Sequence, residues 1–169
     1  EINYLVSHPK RNKFIEKLCA SIKGNTLLLF QLVEKHGVLL YNELKTLDRK
    51  VFFVYGGTTT ETREKIRAIT EKEKDAIIVA SYGTFSTGIN IRAINNIVFA
   101  SPSKSRIRVL QSIGRGLRQT DDKSRVKLFD VSDNVSYKSR PNFTYRHFTQ
   151  RLNIYKEEQF NYDINRINL

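Results

Sequence analysis

The 169-residue sequence predicts an α/β fold, with a mostly parallel sheet covered by helices on both faces. Two observations support this prediction. Short continuous apolar runs, typical of strands buried on both sides, recur along the chain. Between them lie segments whose apolar residues return every three or four positions, which is the helical period. Strands that alternate with helices favour right-handed crossovers and a parallel sheet.

The first half of the chain shows two helices and two strands. Apolar residues at helical spacing predict a helix over about 8–23, and Thr26–Phe30 is a five-residue apolar run that predicts a buried strand. Leucines between residues 39 and 47 predict a second helix. The run 51–55 predicts a second strand, which ends at Gly56 and Gly57.

The second half continues the alternation. A charged helix is predicted from Thr60 to about Lys74, strands at 76–80, 96–100 and 126–131, and a helix at about 105–117. Phe148, Leu152 and Tyr155 are spaced for a last helix over about 143–158 that docks on the domain. We find neither a repeat nor a linker, so residues 1–169 are interpreted as a single domain.

Charge and composition exclude several classes of protein. The net charge is +12, and residues 76–120 contain no Asp or Glu, which favours an anionic partner such as nucleic acid or nucleotide phosphate. Cys19 is the only cysteine and is predicted to be a buried thiol; with three dispersed histidines it forms no metal-binding set. No run approaches the length of a membrane span. A cytoplasmic protein without a membrane partner is expected, and the lack of any methionine indicates a piece of a longer chain.

Two segments carry residues suited to binding phosphate. The loop after the third strand, residues 81–91, reads SYGTFSTGINI and is rich in hydroxyl groups and glycine. Residues 111–118 read QSIGRGLR and place Gln111, Arg115 and Arg118 on one stripe of a helix. Arginine forks hold phosphate oxygens in fixed geometry and keep their charge.

These two segments resemble motif V and the QxxGRxxR form of motif VI of superfamily 2 helicases, including the recombination helicases of bacteriophage. The resemblance covers the order of strands and helices from about residue 25 to 131. It implies the second, C-terminal RecA-like domain of an ATP-driven DNA motor that acts on branched DNA in recombination and repair. Its partners would be the DNA backbone and the N-terminal RecA-like domain of the same chain.

The resemblance also implies roles for individual residues at the nucleotide. Arg118 is the best candidate for the arginine finger, with Arg115 beside it on the phosphates and Gln111 linking the nucleotide site to the domain interface. The expected cofactor is ATP with Mg²⁺, held mainly by the N-terminal domain. The residues expected next to the nucleotide in this chain are Gly88, Asn90 and Gly114. Many relatives carry Asp where Asn90 stands.

Motifs IV and IVa of the family correspond to the loops after the first and second strands, which would contact the phosphates of the tracked strand. Motif V would couple that strand to the nucleotide. The residues expected at the nucleic acid are Phe30, Gln31, Gly56, Gly57, Thr58, Thr84 and Thr87. Arg63, in the following helix, is interpreted as a structural ion-pair partner. The tail aromatics Tyr145, Phe148 and Tyr155 are interpreted as core rather than as base-stacking residues.

Other features of the sequence limit this reading. The chain contains neither a GxxxxGK[ST] phosphate loop nor a DExH-type acidic box, so we expect it not to hydrolyse ATP by itself. A non-catalytic basic module that binds or anneals nucleic acid stays open as the alternative. A Rossmann-type nucleotide enzyme is disfavoured because no GxGxxG turn follows the first strand.

Overall fold

The computed structural model describes residues 1–86, 93–101 and 126–169. The first helices are α1 (Ile2–Ser7) and α2 (Pro9–Ser21), joined at His8. Strand β1 (Thr26–Phe30) leads into a π-helical turn (Val33–Gly37), which continues as α3 (Val38–Leu44). The remaining elements follow in order: β2 (Val51–Val54), α4 (Thr60–Lys72), β3 (Ile77–Ser81), α5 (Tyr82–Ser86), β4 (Asn96–Phe99), β5 (Lys127–Asp130) and α6 (Phe143–Glu157).

The five strands form one all-parallel sheet in the order β2-β3-β1-β4-β5. Strand β1 lies at the centre, with Thr26 in register with Ile77 of β3 and Asn96 of β4. All five of its residues are buried, as its uninterrupted apolar run predicts. The predicted α/β class and the parallel sheet are confirmed.

Successive residues of the strands supply two cores, one on each face of the sheet. On one face Leu28 and Phe30 pack with Ile15 and Cys19 of α2 and with leucines of α3. On the other face Leu27 and Leu29 pack with residues of α4 and α6. Both faces are covered because neighbouring side chains of a strand point to opposite sides.

Several element bounds differ from the sequence prediction. The short helix α1 was not predicted, because six residues with two buried side chains show too little periodicity. The second helix starts as the π-helical turn, and α3 ends at Leu44, before the predicted Leu47. Ser81 belongs to β3, and Tyr82–Ser86 forms a helix where the sequence suggested a loop. None of the helices that the structure describes is long and apolar enough to cross a membrane.

Two glycines permit close contacts that any side chain would obstruct. Gly24 precedes β1 with a φ of +102°, and a Cβ there would lie 2.9 Å from the side chain of Asn95. Gly37 ends the π-helical turn, where a Cβ would lie 2.5 Å from the Phe30 ring. The turn therefore lies directly on the end of β1.

Candidate functional site

The carboxyl ends of parallel strands meet at one edge of a sheet, which is where α/β proteins bind their ligands. In this chain the residues at that edge are Gln31 after β1, Tyr55 after β2, Ser81 at the end of β3, Ser101 after β4 and Asp130 at the end of β5. Residues 87–92 follow α5 and residues 102–125 follow Ser101, and both ranges lie outside the described residues.

The two residues predicted for motif IV, Phe30 and Gln31, lie in different environments at the end of β1. Phe30 is fully buried, its ring stacked on Phe53 with centroids 5.5 Å apart. Gln31 is exposed, and its backbone N–H donates to Ser101 Oγ at 3.0 Å. A nucleic-acid contact at this loop would therefore use the Gln31 side chain or the backbone, because the Phe30 ring belongs to the core.

A buried chain of hydrogen bonds runs inward from Ser101. His36 Nδ1 lies 2.7 Å from Ser101 Oγ, and His36 Nε2 lies 3.1 Å from Asn12 Oδ1. Asn12 Nδ2 donates to the Val6 carbonyl at 2.9 Å, which fixes the orientation of that amide. Since Asn12 Oδ1 only accepts, His36 Nε2 is the donor of that bond, and a neutral imidazole would then accept from the Ser101 hydroxyl at Nδ1.

This chain connects three parts of the protein that are distant in sequence. It joins the start of α2, the π-helical turn and Ser101 at the carboxyl edge of the sheet. Tyr82 adds a fourth link, as its hydroxyl donates to the Ser101 carbonyl at 3.2 Å. His36 was not predicted as a functional residue, because a lone histidine without a motif carries little signal in a sequence; the π-helical turn that holds it, an element frequent at functional sites, is visible only in the structure.

The loop after β2 is a tight exposed turn. The Thr58 N–H donates to the Tyr55 carbonyl at 3.0 Å, and Thr58 Oγ1 accepts from the Tyr55 N–H at 3.1 Å. Gly56 and Gly57 are both exposed, so their backbone is open to a ligand. Arg63 Nη2 donates to the carbonyls of Tyr55 and Gly56, at 3.2 and 3.3 Å. The prediction that Arg63 forms an ion pair was wrong. Among the described residues its side chain contacts backbone carbonyls and no carboxylate.

Hydroxyl groups at the end of β3 bond to one another. Ser81 Oγ lies 2.6 Å from Thr84 Oγ1, and the Thr84 N–H donates back to Ser81 Oγ at 3.4 Å. Thr84 is only 2% exposed, so its hydroxyl is buried at the end of β3. The other predicted residues of the nucleotide and motif V sites lie outside the described residues: Thr87, Gly88, Asn90, Gln111, Gly114, Arg115 and Arg118.

A buried ion pair at the end of β5 holds α6 on the sheet. Arg151 Nε and Nη2 donate to the two Asp130 oxygens at 2.6 and 3.0 Å, and the Tyr155 hydroxyl donates to the same carboxylate at 2.6 Å. Burial by itself lowers the pKa of Arg151, but the Asp130 carboxylate outweighs it and holds that pKa above the ordinary value.

Tyr155 is buried as expected, whereas Tyr145 and Phe148 are half-buried. The buried stripe of α6 consists of Thr144, His147, Arg151 and Tyr155.

Comparisons with known proteins add a family match. The model of the helicase conserved C-terminal domain matches residues 9–120. Over its whole length the chain is 35% identical to the ATP-dependent DNA helicase uvsW of Enterobacteria phage T4, of which it spans 36%. A putative ATP-dependent RNA helicase of Methanocaldococcus jannaschii is 27% identical over 79% of this chain and 18% of that protein.

Solved structures support the same fold. The crystal structure of T4 UvsW matches 96% of this chain and 35% of that chain with a TM-score of 0.78. The C-terminal domain of the DEAD-box protein Dbp5 matches 90% of this chain and 80% of that chain with a TM-score of 0.63, at 16% identity. The predicted RecA-like architecture is confirmed. The chain spans about a third of UvsW and about a fifth of the archaeal relative.

Proposed function

The chain belongs to the helicase conserved C-terminal domain family, and on this premise we propose that it is the second motor domain of an ATP-dependent DNA helicase that acts on branched DNA in recombination and repair. Identity to uvsW along the whole chain is the observation that carries this proposal. The preceding RecA-like domain of the same protein would be its partner, and the cytoplasm its location.

The residues proposed for the nucleotide site form a donor set that fits phosphate. Gln111, Arg115 and Arg118 offer amide and guanidinium donors, and residues 76–120 contain no carboxylate to compete for them. Arg118 would face the γ-phosphate of ATP and stabilise the negative charge that develops on its oxygens during hydrolysis. Arg115 would neutralise the neighbouring phosphates. Gly88, Asn90 and Gly114 would bring backbone close to the nucleotide, and Mg²⁺ would be held by the preceding domain.

The described part of the carboxyl edge supports a track for the DNA backbone. Gln31, Gly56 and Gly57 are exposed there, and a backbone N–H or side-chain amide is a suitable donor to phosphate. The Phe30 and Thr84 side chains are buried, so we propose that they shape this track from below. Thr58 would contribute through its turn, and Thr87 would link the track to the nucleotide. Binding of this kind depends little on sequence and weakens as salt rises.

A second candidate function is a non-catalytic basic module that binds or anneals DNA. The net charge of +12 favours it. In that case Arg115 and Arg118 would be ordinary phosphate contacts, and their loss would weaken DNA binding without an additional effect on turnover.

The test is DNA-stimulated ATP hydrolysis by the full-length protein and its Arg118→Ala variant, with DNA affinity measured in parallel. We expect turnover to fall about a hundredfold or more at near-normal DNA affinity, since arginine fingers contribute 10³ to 10⁵ in rate in other NTPases. Arg67→Ala is the matched control, because Arg67 is an exposed arginine on α4 that pairs with Glu64 and Glu71. Unchanged turnover with weakened DNA binding would support the second candidate.

A further inference from the structure

The segment after β5 carries an exposed tyrosine on a tight turn. Tyr137 and Arg140 form an isolated antiparallel bridge, with N–H···O distances of 3.3 and 3.1 Å. Lys138 at the tip has a positive φ of 53°, which closes the turn. Tyr137 is 74% exposed, more than any other large hydrophobic side chain of the described residues. We refer to residues 135–142 as the tyrosine loop.

Hydrogen bonds of Asn142 join the two ends of the tyrosine loop. Its Oδ1 accepts from the Val135 N–H at 3.0 Å, and its own N–H donates to Ser136 Oγ at 3.3 Å. Its Nδ2 donates to Glu1 Oε1 at 2.8 Å and to the Asp133 carbonyl at 3.2 Å. Because these bonds hold the two ends of the loop on the domain, less backbone entropy is lost when a partner binds at Tyr137.

The surroundings of the tyrosine loop are positively charged. Residues 134–156 contain no Asp or Glu. Lys138 Nζ lies 5.4 Å from the centroid of the Tyr137 ring, and the Arg146 guanidinium lies 5.9 Å from that of Phe143. Lys138, Arg140 and Arg146 are exposed, and none of them pairs with a carboxylate in the part of the chain that the structure describes.

The two nearest acidic groups are already engaged. Both oxygens of Asp133 accept from Arg11, at 2.7 and 3.0 Å. Both oxygens of Glu1 accept from the first turn of α6, from Phe143 N–H at 2.9 Å and Thr144 N–H at 2.7 Å. Arg11 neutralises Asp133, so Lys138, Arg140 and Arg146 outnumber the one remaining carboxylate, that of Glu1, beside an exposed aromatic ring. That combination is typical of surfaces that bind single-stranded nucleic acid.

The strand order separates this surface from the track proposed above. The tyrosine loop follows β5, whereas the Gly56–Gly57 turn follows β2 at the opposite end of the sheet. Four strand spacings, or about 19 Å at the usual spacing of strands, separate β2 from β5. A single strand that contacts the Gly56–Gly57 turn would need several nucleotides to reach Tyr137.

We propose that the tyrosine loop and the first turn of α6 form a second nucleic-acid contact, in which Tyr137 stacks on an unpaired base of single-stranded DNA. Lys138, Arg140 and Arg146 contact the flanking phosphates. The inference rests on the proposed function, which supplies the DNA. Stacking requires an unpaired base, so this contact distinguishes a single strand from a duplex, whereas the phosphate contacts do not.

The experiment measures the affinity of the full-length protein for a fluorescein-labelled single strand and for a duplex of equal length. We expect Tyr137→Ala to weaken single-strand binding about 5- to 100-fold and to leave duplex binding within about twofold, while Tyr137→Phe retains both. A 2-aminopurine in the single strand should be quenched by the wild type and by Tyr137→Phe but not by Tyr137→Ala. Lys138→Ala with Arg140→Ala should lower the slope of log K against log salt by about two for either DNA.

Ile69→Ala is the control, as it removes a 39% exposed apolar side chain from α4, away from the loop. Wild-type single-strand affinity and quenching in Tyr137→Ala, with DNA-stimulated ATP hydrolysis intact, would overturn this inference and leave the proposed function standing. If the charge variants also bind normally, the loop serves an acidic protein surface instead. A wild type that neither binds DNA nor hydrolyses ATP would reject both proposals.

Discussion

Two buried arginines and one glutamate connect the two ends of the chain to each other and to β5. Arg11 reaches Asp133, Arg151 reaches Asp130, and Glu1 reaches the start of α6. Both guanidinium side chains are 2% exposed, and each meets its carboxylate through two hydrogen bonds. Removing one partner of such a pair leaves a buried charge, which costs about 3–5 kcal/mol. These residues therefore serve the fold, although arginines in a helicase-like chain first suggest phosphate contacts.

Glu1 makes the stability of α6 dependent on pH. Partial burial raises the pKa of Glu1, but hydrogen bonds from the Thr144 N–H, the Asn142 and Thr144 side chains and the Phe143 N–H outweigh it and lower the pKa from 4.5 to about 2. A depressed carboxyl pKa gives stability that is fully present above the unfolded value and is lost as pH falls toward the folded value. We therefore expect a loss between about pH 4.5 and pH 2.

The measurement is urea unfolding of the chain and of Glu1→Gln from pH 7 to pH 2. The variant should be less stable at pH 7, and the difference from the wild type should shrink as the pH falls below 4.5. Glu61→Gln is the control, since Glu61 forms an exposed pair with Lys65 on α4. A constant difference across the whole range would show that the Glu1 charge does not stabilise the helix.

Single side chains also join whole elements at the amino edge of the sheet. Asn25 is 2% exposed and stands just before β1. Its Nδ2 lies 3.1, 2.8 and 3.0 Å from the carbonyls of Thr70, Glu73 and Ala93, and its Oδ1 accepts from the Ala76 N–H at 2.8 Å. One side-chain amide therefore forms hydrogen bonds with backbone groups at the end of α4 and in the segments that lead into β3 and β4.

Asn25→Asp should destabilise the chain by about 3 kcal/mol or more, because a buried carboxylate oxygen would replace the amide donor that faces three carbonyls. The measurement is the urea midpoint at pH 7. Asn95→Asp is the matched control: Asn95 Oδ1 only accepts from the Asn25 N–H, at 2.9 Å, and an aspartate keeps that acceptor. Equal losses in the two variants would mean that the donor role of Asn25 is unimportant.

At the scale of the whole molecule, the proposed ATP site is shared between domains. The chain offers arginines, an amide and glycines for phosphate, but its sequence contains no GxxxxGK[ST] loop and no DExH-type box. The isolated 169-residue chain should thus show no ATP turnover above background, even with saturating DNA, whereas the full-length protein should hydrolyse ATP.

The comparison requires an isolated chain that unfolds cooperatively by circular dichroism, so that inactivity is not a failure to fold. Turnover by the isolated chain that disappears in its Arg118→Ala variant would contradict the expectation. It would show that this domain contains a complete site, and the role proposed for a preceding domain would have to be abandoned.

The sequence by itself predicted the strands to within a residue or two, because burial on both faces leaves an unbroken apolar run such as Thr26–Phe30. The resemblance to helicases was also recognisable in the sequence, because the residues of QSIGRGLR lie close together along the chain. Both signals are local. The α5 helix and the π-helical turn were missed since five residues carry almost no periodicity.

Only the tertiary structure decided which distant residues meet. The order β2-β3-β1-β4-β5, the link from His36 to Ser101 across 65 positions and the Asn25 amide all depend on how the crossovers pack. Local pattern determines which residues are buried, whereas the choice among distant partners depends on the energy of the whole packed fold.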